Sequence, residues 1–225
     1  MRRQTLSEVA WPNTASFTAI ANAWSADATA QMLEWVWIGY DHLKRDLGTA
    51  IAAASDAADL ERDITQLLEP RVRAAMPDFV PFYVQHGVFE RESRQAPPAQ
   101  PPCYDLAFVS YSNPRLIWPL EAKVLKHEGD VRRYVAEVNE QFLTCRYAPF
   151  NSEAAMLAYL LRGDAFAALI AIEDKLGVEL AKYAPQPERP HRLSRHERLV
   201  PEGKEYPRQF GCHHLIMRFF SGAQL

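Results

Sequence analysis

The chain has 225 residues, of which 48% are hydrophobic, and it carries a formal net charge of −3 at pH 7. This apolar content suffices for one large domain or a domain with an extension, whereas the acidic balance argues against strong non-specific nucleic-acid binding by the isolated chain. The longest purely apolar run has eight residues, far below the ~20 that span a bilayer. With three widely separated cysteines and no apolar leader, we expect a cytoplasmic protein without a membrane span.

The N-terminal part of the sequence is predicted to be helical. Residues 1–55 are rich in alanine, poor in glycine and contain a tryptophan cluster at 35–38, which predicts a helical extension with a buried stripe. A second helix is expected over residues 56–76, where Pro77 ends it. A first strand is expected over residues 79–91, and a polyproline-like connection at 95–102 follows it.

The rest of the chain is predicted to alternate between strands and helices. Residues 103–111 and 116–125 form two apolar strands joined by the turn Ser112-Asn113-Pro114. Downstream, the pattern predicts a helix at 129–146, two further helices at 152–161 and 164–183, and closing strands at 191–200 and 212–220. Together these elements predict an α/β fold with a mixed central sheet flanked by helices.

The hairpin at residues 103–125 carries the most informative polar residues. Asp105 and Glu121 each lie eight residues from Asn113, so a symmetric turn places them opposite each other on one face. Lys123 lies two residues beyond Glu121, and strand alternation places it on the same face. The sequence therefore predicts two carboxylates and a lysine together at one end of a sheet.

Such a group has a definite chemistry. Two close carboxylates repel each other unless a cation or a shared proton lies between them, and oxygen ligands suit Mg²⁺ or Mn²⁺ rather than zinc. A bound metal could polarise a phosphodiester, lower the pKa of a bound water and offset charge on the leaving oxygen, while Lys123 orients or helps to deprotonate that water. The alternative is a surface ion pair, because Glu-x-Lys also occurs at residues 173–175 and 202–204, where solvated charges explain it.

The arrangement Asp105…Glu121-Ala122-Lys123 resembles the motif of the PD-(D/E)XK nuclease superfamily, also called restriction-endonuclease-like. The resemblance covers residues 56–221 and implies an αβββαβ core, with Asp105, Glu121 and Lys123 as catalytic residues. It also implies a glutamate from the first core helix, here Glu61, as a third metal ligand beside Asp105 and Glu121. Glu61 could equally be a solvated charge at the start of its helix. Tyr104 stands where the motif usually has proline.

Two further features of the sequence concern the helix after Lys123 and the second strand of the hairpin. In some branches of the superfamily a glutamine and a tyrosine on this helix line the active site. The spacing of Tyr134 and Gln141 does not match those branches, and we assign these residues no role. Pro119 within the second strand is expected to mark an edge or a bulge.

The functional expectation is a Mg²⁺- or Mn²⁺-dependent nuclease domain at residues 56–225. The substrate is expected to be DNA, with RNA left open, in restriction, phage defence or repair. A homodimer or a larger protein complex is also left open. The alternative is a non-catalytic recognition or structural subunit of a nucleic-acid-processing complex on the same fold.

Overall fold

The structure is a computed structural model that describes residues 15–53, 57–90, 92 and 101–219. The first 14 residues of the predicted extension and most of the predicted polyproline connection lie outside the described residues. The described part forms an α/β fold with one seven-stranded mixed sheet and four α-helices. This confirms the predicted α/β fold with a mixed central sheet flanked by helices.

Two long helices cover one face of the sheet. Helix α1 runs over Ala15–Ala53 and helix α2 over Ala57–Ala75, in close agreement with the predicted helical segments. The two helices approach each other closely at Gly39, where a Cβ atom would lie 2.7 Å from Cγ2 of Val72. Buried residues of α1, α2 and the sheet form a single apolar cluster, so the N-terminal helix is packed against the rest of the described fold.

The sheet has the strand order β1-β2-β3-β4-β7-β6-β5. Strands β1 to β3 are antiparallel, β3, β4 and β7 are parallel to one another, and β7, β6 and β5 are again antiparallel. The strand bounds are β1 Phe82–Phe89, β2 Cys103–Ser110, β3 Ile117–Leu125, β4 Glu153–Leu160, β5 Ala181–Lys182, β6 His191–Glu197 and β7 Gln209–Arg218.

The second face of the sheet is covered by shorter helices. Helix α3 runs over Arg132–Glu137 and opens directly into a π-helical turn, Val138–Phe142. Helix α4 runs over Ala165–Leu176, where the Asp164 side chain caps its first N–H groups and Gly177, with φ of 68°, ends it. The predicted helix at 129–146 is therefore present, but it is shorter and changes its winding after six residues.

The helix predicted at residues 152–161 is wrong, because this segment is strand β4 at the centre of the sheet. Every residue from Ala154 to Leu160 is buried, as expected for a strand with parallel neighbours on both sides and covered faces. A short, continuously apolar run has no period that separates such a strand from a buried helix. The helix predicted at 164–183 is also too long, since Gly177 ends it and β5 follows.

Pro119 lies inside an internal strand rather than on an edge. It is paired with Ala107 of β2, whereas the pairing of β3 with β4 begins one residue later, at Leu120 and Ala155. The proline therefore precedes the part of β3 that has a neighbour on both sides. Its missing N–H costs no β3–β4 hydrogen bond, which explains how the sheet tolerates it.

Strand β7 carries two buried histidines, His213 and His214. His213 contacts His191 of β6, with 3.1 Å between their ring nitrogens, and lies 3.5 Å from a Glu153 carboxylate oxygen. His214 faces the other side of the sheet, where it contacts a tyrosine and a serine. These contacts satisfy the rings within the core.

The buried histidines predict a loss of stability in acid. Burial lowers the pKa of His191 to about 2 and that of His214 to about 3, so the unfolded chain binds protons that the folded chain does not. The free energy of unfolding therefore rises with pH between those values and the unfolded pKa of ~6.5, by up to about 1.4 kcal/mol per pH unit for each histidine.

Urea unfolding of the wild type and His191→Gln at several pH values between 4 and 7 measures this effect. Burial raises the carboxyl pKa values of Glu61, Glu121 and Glu137, which opposes the slope, but that contribution is common to both proteins. We expect the free energy of unfolding of the variant to rise less steeply with pH, by the equivalent of about one bound proton over this range. Identical slopes would contradict a neutral buried His191.

Candidate active site

The β2–β3 hairpin has the register predicted from its turn. Leu106 is paired with Leu120, and the same register continued by one residue places Asp105 opposite Glu121. The Asp105 carboxylate accepts a hydrogen bond from the backbone N–H of Ala122, at 2.8 Å, so its side chain reaches across to β3. Lys123 shares the face of Glu121, and its ammonium donates to the Glu121 carboxylate at 2.9 Å.

Glu61 joins this group from helix α2. One of its carboxylate oxygens lies 3.4 Å from Nζ of Lys123, and the other accepts a hydrogen bond from the backbone N–H of Val124, at 3.1 Å. Its helix is tied to the sheet one turn later, where the Thr65 hydroxyl contacts the Tyr159 hydroxyl at 2.9 Å. The structure therefore places Glu61 at the end of β3, beside the residues that the hairpin supplies.

A fourth carboxylate, Glu137, was not predicted from the sequence. It is the last residue of α3, immediately before the π-helical turn, and its carboxylate lies 3.8 Å from Nζ of Lys123. The acidic residues of that segment look like an ordinary solvated helix face in the sequence. The change of winding after Glu137, which helps to define its direction, has no recognisable sequence signal.

One ammonium thus lies among four carboxylates. The distances from Nζ of Lys123 to the nearest carboxylate oxygens are 2.9 Å for Glu121, 3.4 Å for Glu61, 3.8 Å for Glu137 and 4.0 Å for Asp105. If all four carboxylates are ionised, the group has a net charge of −3 in a partly buried place. This excess of negative charge favours binding of a further cation.

The surroundings of the cluster shift several pKa values. Burial, followed by the charge of Asp105, raises the pKa of Glu121 well above its usual range, and burial also raises the pKa values of Glu61 and Glu137. Burial acts to lower the pKa of Lys123, but the neighbouring carboxylates outweigh it and the pKa is raised. Lys123 is therefore protonated at neutral pH, whereas Glu61, Glu121 and Glu137 are destabilised as anions.

Glu121 provides the test of whether a metal fits this group. Its second carboxylate oxygen is buried and has no hydrogen-bond partner, so a strong acceptor is left without a donor. Among the described residues, no three His, Cys, Asp or Glu side chains form a ready-made metal-binding group. The Lys123 ammonium instead lies between the carboxylates, so these side chains would have to rearrange to bind a divalent cation. The oxygen-only donor set suits Mg²⁺ or Mn²⁺.

The loop at residues 143–151 packs against β2 near the carboxylate cluster. Tyr147 lies in this loop, where its hydroxyl donates to the carbonyl of Cys103 at 3.4 Å. Burial, together with the charges of Glu121 and Glu137, raises the pKa of its phenol. Tyr147 is therefore a neutral donor beside the carboxylate cluster, and sequence reasoning did not assign it to the site.

A buried arginine holds the same loop in place. The Arg198 guanidinium donates to four backbone carbonyls at 2.8–3.0 Å and lies over the Phe210 ring, 4.3 Å from its centre. The four acceptors are the carbonyls of Phe142, Tyr147, Ala148 and Asn151. Two loop residues without glycine's freedom, Cys145 and Ala148, have positive φ values of 60° and 49°. Arg198 thus stabilises an otherwise costly backbone next to the site.

Tyr134 and the two other Glu-x-Lys tripeptides lie away from the carboxylate cluster. Tyr134 is fully buried against the sheet and contacts His214, so it does not line the carboxylate cluster. In the other Glu-x-Lys tripeptides, Glu173 accepts a hydrogen bond from the backbone of Leu180, and Lys204 lies 3.4 Å from Glu92. Only the tripeptide on β3 contributes to the cluster.

The described residues define an α/β protein with a partly buried carboxylate–lysine cluster at one end of its mixed sheet. No protein-family model, curated protein or solved structure gives a significant match to this chain. Among the described residues, no helix combines the length and the apolar character needed to cross a membrane.

Proposed function

We propose that this protein is a metal-dependent nuclease with a restriction-endonuclease-like fold. The observation that carries the proposal is the convergence of Glu61, Asp105 and Glu121, from one helix and two strands, around the ammonium of Lys123. The element order α2-β1-β2-β3-α3-β4 supports the proposed fold, because it follows the αβββαβ order of that superfamily.

The residues that would hold the metal are Asp105, Glu121 and Glu61, with Glu137 as a fourth carboxylate beside them. Their oxygen donors suit Mg²⁺ or Mn²⁺, and the unpartnered oxygen of Glu121 is available for such a cation. When bound, the cation supplies Lewis-acid chemistry, polarising the phosphoryl group and offsetting charge on the leaving oxygen.

Lys123 has a role that follows from its protonation state. Because its pKa is raised, the ammonium keeps its proton at neutral pH and is a poor general base. It acts as a hydrogen-bond donor that orients the attacking water or a non-bridging phosphate oxygen. Its contacts with the carboxylates hold it at the position where these groups would meet the substrate.

A nucleic-acid substrate is favoured by the exposed cations that flank the cluster. Lys126 follows the end of β3, and Arg132 and Arg133 begin the helix that ends at Glu137, all with exposed side chains. Such groups can neutralise phosphates along a strand while the net charge of the whole chain stays negative. We propose DNA as the substrate, with RNA as a variant of the same reaction.

Calorimetric titration with Mn²⁺ tests the metal site directly. We expect the wild type to bind Mn²⁺ and Asp105→Asn and Glu121→Gln to weaken binding by about 100-fold, because each removes a charged oxygen ligand. Glu202→Gln, at an exposed glutamate of another Glu-x-Lys tripeptide, is the matched control and should bind like the wild type.

Nicking of plasmid DNA and cleavage of single-stranded RNA, each measured with and without EDTA, test for metal-dependent phosphodiester hydrolysis. Activity that persists in EDTA would contradict a metal-dependent nuclease. If the wild type neither binds Mn²⁺ nor cuts either substrate, the non-catalytic subunit becomes the better interpretation, because the fold alone does not determine activity.

A further inference from the structure

Helix α3, which carries Glu137, cannot hold its own position. It has six residues, its N-cap residue Val131 makes no side-chain capping hydrogen bond, and it passes directly into a π-helical turn. A helix of this length is far below the ~12–15 residues at which isolated helices become marginally stable in water. The direction in which α3 presents Glu137 must therefore be set by tertiary contacts.

A buried chain of hydrogen bonds supplies such a contact, and we call it the Tyr134 chain: Tyr134, His214, Ser194 and His196. The Tyr134 hydroxyl, three residues before Glu137, lies 2.9 Å from Nδ1 of His214. The other nitrogen of that ring, Nε2, lies 2.7 Å from the Ser194 hydroxyl, which in turn lies 2.6 Å from Nε2 of His196. The chain thus connects α3 to β7 and β6.

The Tyr134 chain is sealed inside the protein and satisfied throughout. Tyr134, Ser194 and His214 are completely buried, and His196 is 9% exposed. Both possible directions of hydrogen donation along the chain leave each group with a partner, because the Tyr134 hydroxyl can also donate to the Met156 carbonyl at 3.4 Å. Removing one member leaves buried polar atoms unpaired, which makes such a network strict about geometry.

We propose that the Tyr134 chain positions helix α3 so that Glu137 meets Lys123, and that its members are positioning residues of the proposed metal site. This inference rests on the proposed function, since it gives Glu137 a share in cation binding. It assigns a role to four polar core residues, none of which touches the carboxylate cluster.

Hydrogen exchange tests whether the chain anchors α3. Tyr134→Phe keeps the ring and removes only the hydroxyl, and we expect amides of residues 132–142 to exchange about 5- to 10-fold faster. Tyr40→Phe is the matched control, because it removes another buried tyrosine hydroxyl, bonded to the Arg218 carbonyl, on helix α1. Unchanged exchange in Tyr134→Phe, or the same acceleration of residues 132–142 in Tyr40→Phe, would overturn the inference.

Mn²⁺ titration of a double-mutant cycle tests the consequence for the site. We expect Tyr134→Phe to weaken Mn²⁺ binding about 5- to 10-fold in the wild-type background and less than twofold in Glu137→Gln, because the chain acts through that carboxylate. An equal effect in both backgrounds would show a merely structural role and overturn the assignment. If the wild type binds no Mn²⁺, the proposed function fails, while hydrogen exchange still decides whether the chain anchors α3.

Discussion

Lys123→Met is expected to reduce phosphodiester cleavage by about 100- to 1,000-fold while Mn²⁺ binding is retained. The substitution removes the ammonium that contacts the four carboxylates but leaves all four carboxylates in place. An aimed donor that stabilises developing charge contributes on this scale in hydrolytic enzymes. Plasmid nicking and Mn²⁺ calorimetry, measured on the same preparation, separate the loss of cleavage from metal binding.

Lys126→Met provides the comparison for this prediction. Lys126 lies three residues further along the chain and has an exposed side chain beyond the end of β3. We expect its loss to weaken nucleic-acid binding modestly and to make that binding less sensitive to salt, with little change in turnover at saturating substrate. If both variants cleave at the wild-type rate, Lys123 is not part of a catalytic site.

Arg198→Met is expected to destabilise the protein by about 3–5 kcal/mol, the largest effect on stability that we predict. The substitution removes the four hydrogen bonds that the guanidinium donates to the carbonyls of Phe142, Tyr147, Ala148 and Asn151, in a place that water reaches poorly. The carbonyls of Phe142 and Ala148 keep one backbone donor each. It also removes the guanidinium that restrains the left-handed backbone of this loop at Cys145 and Ala148. Thermal unfolding should show a midpoint lower by roughly 10 °C.

Arg195→Met is the matched control for this substitution. Arg195 lies on β6, which ends one residue before Arg198. Its side chain is 66% exposed and pairs with Glu153 at 3.2 Å. An exposed ion pair of this kind contributes at most about 1 kcal/mol. Equal losses of stability in the two variants would show that the four buried hydrogen bonds of Arg198 contribute little.

The parts of the site that lie on the hairpin could be predicted from the sequence. The turn at Asn113 set the register of β2 and β3, and period-two alternation then placed Glu121 and Lys123 on one face. These are local relations, in which a few residues of spacing determine the geometry. The prediction that Glu61 joins the site rests on a family resemblance, and the structure places this residue beside Lys123.

The parts that could not be predicted depend on distant residues. The sequence pattern predicts a helix where β4 lies, because the identity of this strand depends on β3 and β7, which cover its two edges, and not on any period of its own. Glu137 points towards Lys123 because α3 is held by His214 of β7, which is itself bonded to β6, and is followed by a π-helical turn. Arg198 finds its four acceptors about 50 residues earlier in the chain. No local pattern encodes such contacts.

The position of β4 between β3 and β7 also affects the order in which the protein is assembled during synthesis. Glu61, Asp105, Glu121 and Lys123 have all left the ribosome long before Gln209–Arg218, which supplies the second neighbour of β4 and the histidine that holds α3. Chains emerge from their N-terminus, and pairing between distant strands forms slowly. The nascent protein therefore carries these reactive side chains before the strand that completes the sheet around β4 has emerged. In a metal-dependent nuclease, this delay would keep the site incomplete until β7 is in place.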